Sequence, residues 1–258
     1  MEKPIKNNEQ YLLQSVDNAL AVLDLLAESD RLPLTEIAAR IGHGKTMTDR
    51  LLCTLEHRGY LIRGQDNRYG LGMRLFTLGN KVLSDKSFLP LVQPLIDALT
   101  ERLQETTHFV TWENQLRVIL LYESLPRLSS LRVERDQVLL SRPPHMTSTG
   151  LALLSTVSDE AIAYYADTAL FEKKTEFSIS GREQLLEDIA FVRRHGYAIN
   201  NQRYEKGLVS ISVPVLPADG GQAEFAISAS GPSVRLLDNQ AAIVEELQHT
   251  AREIAAQI

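Results

Sequence analysis

The chain has 258 residues, of which 44% are hydrophobic, a formal charge of −6 and a single cysteine, Cys53. That length leaves room for two domains or one large one with a sizeable core, and one cysteine excludes both an intramolecular disulfide framework and a cysteine-based structural zinc site. The acidic balance excludes a uniformly basic nucleic-acid binder. No apolar run approaches the ~18–20 residues of a membrane span, and the opening MEKPIKNNEQ lacks the apolar stretch of a secretory signal, so a soluble cytoplasmic protein is expected.

Residues 1–13 read as a polar arm. A helix is expected from about Ser15, with Val16, Ala19, Leu20, Leu23, Leu26 and Ala27 on one stripe. The stretch Leu34–Tyr60, LTEIAARIGHGKTMTDRLLCTLEHRGY, then reads as two short helices joined by a glycine-containing turn, which is a helix-turn-helix. The first would be capped by the Thr35 hydroxyl, bury Ile37, Ala38 and Ile41, and stop at Gly42. The second would run from Lys45 to Arg58 and end at Gly59, with Thr48, Leu51, Leu52 and Leu55 facing inward. Lys45, Thr46, Met47, Asp49, Arg50 and Thr54 are left facing outward, where a recognition helix meets a major groove. Tyr60–Arg63 and Arg68–Leu71, separated by Gln65-Asp66-Asn67, predict a hairpin wing with Arg63 and Arg68 flanking its tip.

Charge supports this reading. From Arg31 to Lys81 there are nine basic and four acidic residues, a local balance of +5, whereas the chain from Val82 onward has 16 basic and 23 acidic residues, or −7. A cationic segment within an acidic protein is the footprint of local phosphate contact. Gly44-Lys45-Thr46 resembles the end of a phosphate-binding loop, but that motif needs a glycine where Ala39 stands and a strand where a helix is expected. Asp49 can either accept from a cytosine amino group or pair with a local charge. Cys53 has no adjacent histidine to make it a nucleophile and reads as packing or a half-exposed position. The six histidines are dispersed, with no pair at i, i+4 spacing, so no metal is predicted.

The second half begins with helices. Gly72–Ser84 carries Leu75, Leu78, Val82 and Leu83 at helical spacing and is expected to be a linker helix. Phe88–Thr106 follows as a longer helix with Pro90 in its first turn and Pro94 as a kink. His108–Trp112, Leu116–Glu123 and Ser129–Val133 predict strands, with Trp112 and Tyr122 as core residues. Short helices are expected at Ser148–Thr156 and Asp159–Asp167, then one opened by the capping box Ser180-Gly-Arg-Glu183 and closed by Gly196. Strands at Tyr197–Asn200, Leu208–Leu216 and Ala223–Ser230 follow, the last two joined by a Pro217-Ala-Asp-Gly-Gly turn. A final helix from Asp238 aligns Val244, Leu247, Ala251, Ile254 and Ile258.

Taken together these segments resemble the IclR-type bacterial transcriptional regulators over nearly the whole chain. The resemblance is carried by QSVDNAL (Gln14–Leu20), LTEIAARIG, KTMTDRLLCTLEHRGY and RYGLGMRL (Arg68–Leu75) in the first half. In the second it is carried by TSTGLALL (Thr147–Leu154), RRHGYAINNQRYEKG (Arg193–Gly207), ISVPV (Ile211–Val215) and AISASGPSVR (Ala226–Arg235). It implies an α+β protein, with an N-terminal winged helix-turn-helix joined by a linker helix to a GAF-like α/β effector domain built on an antiparallel sheet. The expected boundaries are 1–71, 72–87 and 88–258, and the expected assembly is a homodimer that can pair into a tetramer.

By the same resemblance the effector pocket is carried onto Ser148 and Thr149 at a helix start, Asn200, Ser210, and Ser228 and Ser230. Arg142 and His145 lie near enough in sequence to contact a ligand or to serve as surface or core residues. Where many members have an acidic run after Gly-Tyr-Ala, this chain has Asn200-Asn201-Gln202-Arg203, which removes like-charge repulsion toward an anion. A small organic or sugar acid is the expected effector and double-stranded operator DNA the expected partner, with no cofactor and no membrane. The competing reading is a small-molecule sensor or enzyme whose first domain binds protein. A pocket of Ser, Thr and Asn lacks the convergent acid and base groups that catalysis needs.

Overall fold

The computed structural model describes residues 12–85, 88–113, 117–127 and 142–258. The chain divides into two compact units, 1–87 and 88–258. Most of the expected N-terminal arm and the expected strand Ser129–Val133 lie outside the described residues.

In the first unit α1 (Gln14–Ala27), α2 (Leu34–Arg40) and α3 (Lys45–His57) pack over a small three-stranded antiparallel sheet of β1 (Leu32–Pro33), β3 (Arg68–Leu71) and β2 (Leu61–Arg63), in that order. Val22, Leu26, Ile37, Leu52, Leu55, Leu61 and Tyr69 form its core. Both glycine stops close in the same way. Gly42 and Gly59 take φ of 71° and 76°, and the N–H groups of His43 and Tyr60 reach back to the carbonyls of Ala38 and Leu55. Each is the left-handed cap that satisfies a helix's last carbonyls, and it sets the direction in which the chain leaves.

Two local expectations fail, and one element was not foreseen. Thr35 does not cap α2, because the helix begins one residue earlier and Pro33 occupies the cap position with no side-chain bond. The stripe on α1 is rotated: Asn18, Val22 and Leu26 are buried, whereas Val16 and Leu20 are more than half exposed. The two-residue β1 had no sequence signal of its own and is held by pairing Leu32 with Tyr69. Helix α4 (Met73–Asp85) follows the wing, with Met73 and Phe76 exposed at 73% and 61%.

The second unit is a five-stranded antiparallel sheet in the order β5-β4-β8-β7-β6, made of β4 (Thr106–Glu113), β5 (Arg117–Ser124), β6 (Ala198–Asn201), β7 (Leu208–Val215) and β8 (Phe225–Pro232). Helices α5 (Leu89–Leu103) and α10 (Gln240–Ala255) cover one face; α6 (Ser148–Leu154) lies on the other, with α7 (Asp159–Thr168) and α8 (Arg182–His195) beyond it. Side chains alternate across a strand, so Leu208-Val-Ser-Ile-Ser-Val sorts itself. Val209, Ile211 and Val213 join Phe109, Ile227 and Ala229 under α5 and α10, while Ser210 and Ser212 face the side of α6 with Ser228 and Ser230.

Several boundaries move for identifiable reasons. Helix α5 runs through Pro94 but stops at Leu103, because Gln104 turns left-handed at φ 54°, releasing Thr106 and Thr107 to β4. Strand β8 starts at Phe225 rather than Ala223, since the carbonyls of Ala223 and Glu224 accept from the side chains of Trp112 and Thr111. The capping box is offset: Gln184, not Glu183, accepts from the Ser180 N–H at 3.0 Å. A separate short helix, α9 (Ser233–Asp238), precedes α10, and Ile258 is exposed rather than on the buried stripe.

Candidate effector pocket and DNA-binding face

Every outward residue predicted on α3 is exposed: Lys45, Thr46, Met47, Asp49, Arg50 and Thr54. The opposite side is anchored by Thr48, Leu52 and Leu55, so the helix presents one face to the core and one to solvent. The Thr54 hydroxyl donates to the Arg50 carbonyl at 2.7 Å, which leaves its methyl group as the outward feature. Asp49 makes no ion pair among the described residues. Cys53 is exposed on the same helix.

On the wing, Arg63 lies 5.5 Å from the Tyr69 ring centroid, stacked but exposed. Arg68 donates to the Arg31 carbonyl at 3.1 Å and sits 3.8 Å from Asp66. The hairpin tip is thus pinned, with two guanidinium groups held on either side of it.

In the second unit all six residues expected at the pocket line one cavity of about 100 Å³. Ser148 and Thr149 come from the start of α6, Asn200 from β6, Ser210 from β7, and Ser228 and Ser230 from β8; His108, Arg142, Thr147 and Tyr204 complete its polar wall, and Val110, Val118, Leu120, Met146 and Leu208 the apolar part.

The hydroxyls are wired together. The Ser148 Oγ lies 2.8 Å from Ser210 Oγ and 2.5 Å from Ser212 Oγ. Thr147 caps α6 by accepting from the Gly150 N–H at 2.9 Å. Asn200 is committed in part: its Nδ2 donates to the Met146 carbonyl at 2.7 Å and its Oδ1 accepts from the Arg203 N–H at 3.0 Å, leaving one amide hydrogen for a ligand.

Arg142 is fixed at the pocket by a two-way backbone bridge to Val118, and its guanidinium stacks 3.9 Å from the Tyr204 ring centroid. No carboxylate lines the cavity among the described residues, which leaves Arg142 as its permanent charge. Arg203, expected beside the pocket, instead forms a two-pronged ion pair with Asp188 at 2.6 and 2.9 Å. His108 and Tyr204 were missed by sequence reasoning, because nothing in their local sequence distinguishes them from ordinary strand and loop residues. Only the sheet order brings positions 108, 142, 204 and 228 together.

His145 does not line the cavity. It is buried behind it, its Nδ1 2.6 Å from the Tyr165 hydroxyl, with no hydrogen-bond partner for Nε2 among the described residues. Burial lowers its pKa from 6.5 to about 4 and pushes Tyr165 up to about 12, so the ring is held neutral. Between pH 6.5 and 4 the unfolded chain binds a proton that the folded chain does not, and stability falls as the pH drops through that window. Denaturant unfolding followed at pH 7.5, 6 and 5 should show this decline in the wild type and a shallower one in His145→Gln.

Among the described residues no helix is long and apolar enough to cross a membrane, and no group of three or more His, Cys, Asp or Glu is placed to hold a metal. An exposed helix-turn-helix with a cationic wing, and a separate domain enclosing a small polar cavity, define a ligand-responsive DNA-binding protein. The IclR helix-turn-helix domain model matches residues 15–63 and the bacterial transcriptional regulator IclR C-terminal model matches residues 80–256. The chain belongs to the IclR family of bacterial transcriptional regulators, and is a regulator rather than an enzyme. It is 27% identical to the regulator KdgR of Dickeya chrysanthemi, over 95% of this chain and 80% of that one. An IclR regulator structure from Alicyclobacillus acidocaldarius superposes with a TM-score of 0.82 at 24% identity, covering 96% and 99% of the two chains. An IclR homologue from Microbacterium hydrocarbonoxydans, solved with 4-hydroxybenzoate, gives 0.78 at 22% identity over 94% and 98%.

Proposed function

We propose that this regulator answers to a small hydroxylated carboxylate, and that it controls an operon for the breakdown of a carbohydrate acid or another organic acid. The observation that carries the reading is the cavity itself: among the described residues it is lined by one guanidinium, no carboxylate, and a ring of serine and threonine hydroxyls. A guanidinium recognises a carboxylate in a planar, two-pronged way, and the hydroxyls then read the remainder of the ligand. The 4-hydroxybenzoate bound by the Microbacterium homologue carries the two functional groups, a carboxylate and a hydroxyl, that such a lining would recognise.

At the other end, Lys45, Thr46, Met47, Asp49, Arg50 and Thr54 serve as the base- and phosphate-contacting set, with Arg63 and Arg68 at the flanking backbone or minor groove. Asp49, having no ion-pair partner among the described residues, is suited to accept from a cytosine amino group. Helix α4 acts as the linker, and its exposed Met73, Phe76 and Val82 supply a face for a second copy, which would place two recognition helices in successive grooves of a pseudo-palindromic operator. The effector changes DNA affinity to the extent that it prefers one arrangement of the dimer over another.

A salt-dependent gel shift on the DNA flanking its own gene tests the output, and calorimetry with sugar acids and hydroxybenzoates tests the input. Arg50→Ala is expected to weaken operator binding about tenfold or more while leaving effector affinity intact. Ser228→Ala should do the reverse. Failure of the folded Arg50→Ala protein to lose any DNA affinity would remove α3 from the interface, and stabilisation by neutral or cationic compounds alone would remove the acid.

A further inference from the structure

We propose that His108 and Glu123 fix the hydrogen-bonding polarity of Ser228, and thereby require the effector to bring a hydroxyl group to that end of the pocket. The inference rests on the carboxylate reading above and narrows it. His108 on β4 is directly opposite Ser228 on β8 and Glu123 on β5. Its Nδ1 lies 3.2 Å from the Ser228 Oγ, and its Nε2 lies 3.5 Å from Glu123 Oε1, a charge contact and not an aligned hydrogen bond, and Nε2 makes no other hydrogen bond among the described residues. The His108 and Glu123 side chains are only 6% and 4% exposed, so neither depends on solvent for its orientation.

A neutral imidazole carries one N–H, and the group opposite each nitrogen decides which one. A carboxylate can only accept, so with the imidazole neutral Glu123 favours the proton on Nε2 and leaves Nδ1 as a lone pair. The Ser228 hydroxyl must then donate to Nδ1, and its single proton is spent. What Ser228 offers the cavity is an acceptor alone. Serines 148, 210 and 212 are different, since their hydroxyls share protons within one cluster and can turn to either polarity.

Arg142 and Ser228 line the same cavity, so one ligand can meet both. Arg142 is anchored beside Val118, whose partner on β4 is Trp112, four residues from His108. A carboxylate on Arg142 and a hydroxyl donating to Ser228 satisfy both ends. A second carboxylate, a keto group or a methyl at Ser228 would set acceptor against acceptor or leave it unpaired, a discrimination that polar sites enforce strongly. An ammonium would find no lining carboxylate among the described residues to balance it.

Full-length protein labelled with ¹⁵N-histidine, with His108→Asn to assign the signal, reads the tautomer without any ligand. Nε2 is expected to carry the proton in the wild type, and Glu123→Gln, whose amide can present either edge, should populate both forms. Calorimetry with matched acids, 4-hydroxybenzoate against benzoate and 3-hydroxybutyrate against butyrate, reads the consequence. At least one hydroxylated member should bind tenfold or more tightly than its partner, with the ratio falling below threefold in Glu123→Gln. A proton on Nδ1 in the wild type, or equal binding of both members of every pair that binds, overturns this inference and leaves the carboxylate reading standing. Binding of no acid at all overturns both.

Discussion

Replacing Gly150 by alanine should lower the stability of the effector domain by about 3 kcal/mol, near the upper end of what overpacking costs. A Cβ at this position would be driven into the Pro144 backbone, against its carbonyl oxygen and Cα rather than the end of a flexible side chain. The first turn of α6 lies directly on the 3-10 turn Pro144–Met146, and neither can retreat: Thr147 is tied to Gly150, and the Met146 carbonyl is held by Asn200. The chain has one tryptophan, Trp112, on β4 with its Nε1 donating to the Ala223 carbonyl at 3.1 Å, so its fluorescence follows this domain. The denaturant midpoint should fall in proportion, and effector affinity with it, because Ser148 and Thr149 belong to the displaced turn. An unchanged midpoint would show that α6 is free to shift.

The second large effect belongs to the first unit. Leu52 is fully buried at the centre of α3, and Leu52→Ala should cost about 3 kcal/mol through lost burial and the cavity left behind. For a three-helix unit this small, such a loss is a large share of its stability. Operator binding should collapse while the Trp112 transition keeps its midpoint, since each unit has its own core. If the Trp112 transition moved by the same amount, the two units would unfold as one.

What could be seen in the sequence followed from how far apart the interacting residues are. Helix-turn-helix, wing and strand patterns are local, and Gly42, Gly59 and Gly196 marked their helix ends because a left-handed residue must stand there. The outward face of α3 was visible for the same reason. Thr35 and Ser180 misled because a capping residue type does not fix which neighbour takes the cap; Pro33 and Gln184 prevailed. Val16 and Leu20 satisfied the period of α1 yet lie outside its buried face, as exposed apolar residues do when the partner surface belongs elsewhere. Family resemblance named six residues that line one cavity, but not the groups that orient them. His108 joins Glu123 and Ser228 across strand pairings, and Tyr204 meets Arg142 through a ring contact, over separations that no window of sequence spans.

The alternation on β7 and β8 also bears on how such a regulator can change. Positions 209, 211, 213, 227 and 229 hold the core, while 210, 212, 228 and 230 face the ligand side. Because the two sets interleave on the same strands but point to opposite faces, the ligand preference can drift one residue at a time with little effect on folding. A single-residue insertion within either strand would exchange the two sets along its length. Diversity of signal in proteins built on this sheet should therefore accumulate by substitution at even positions, and length changes should be confined to the turns.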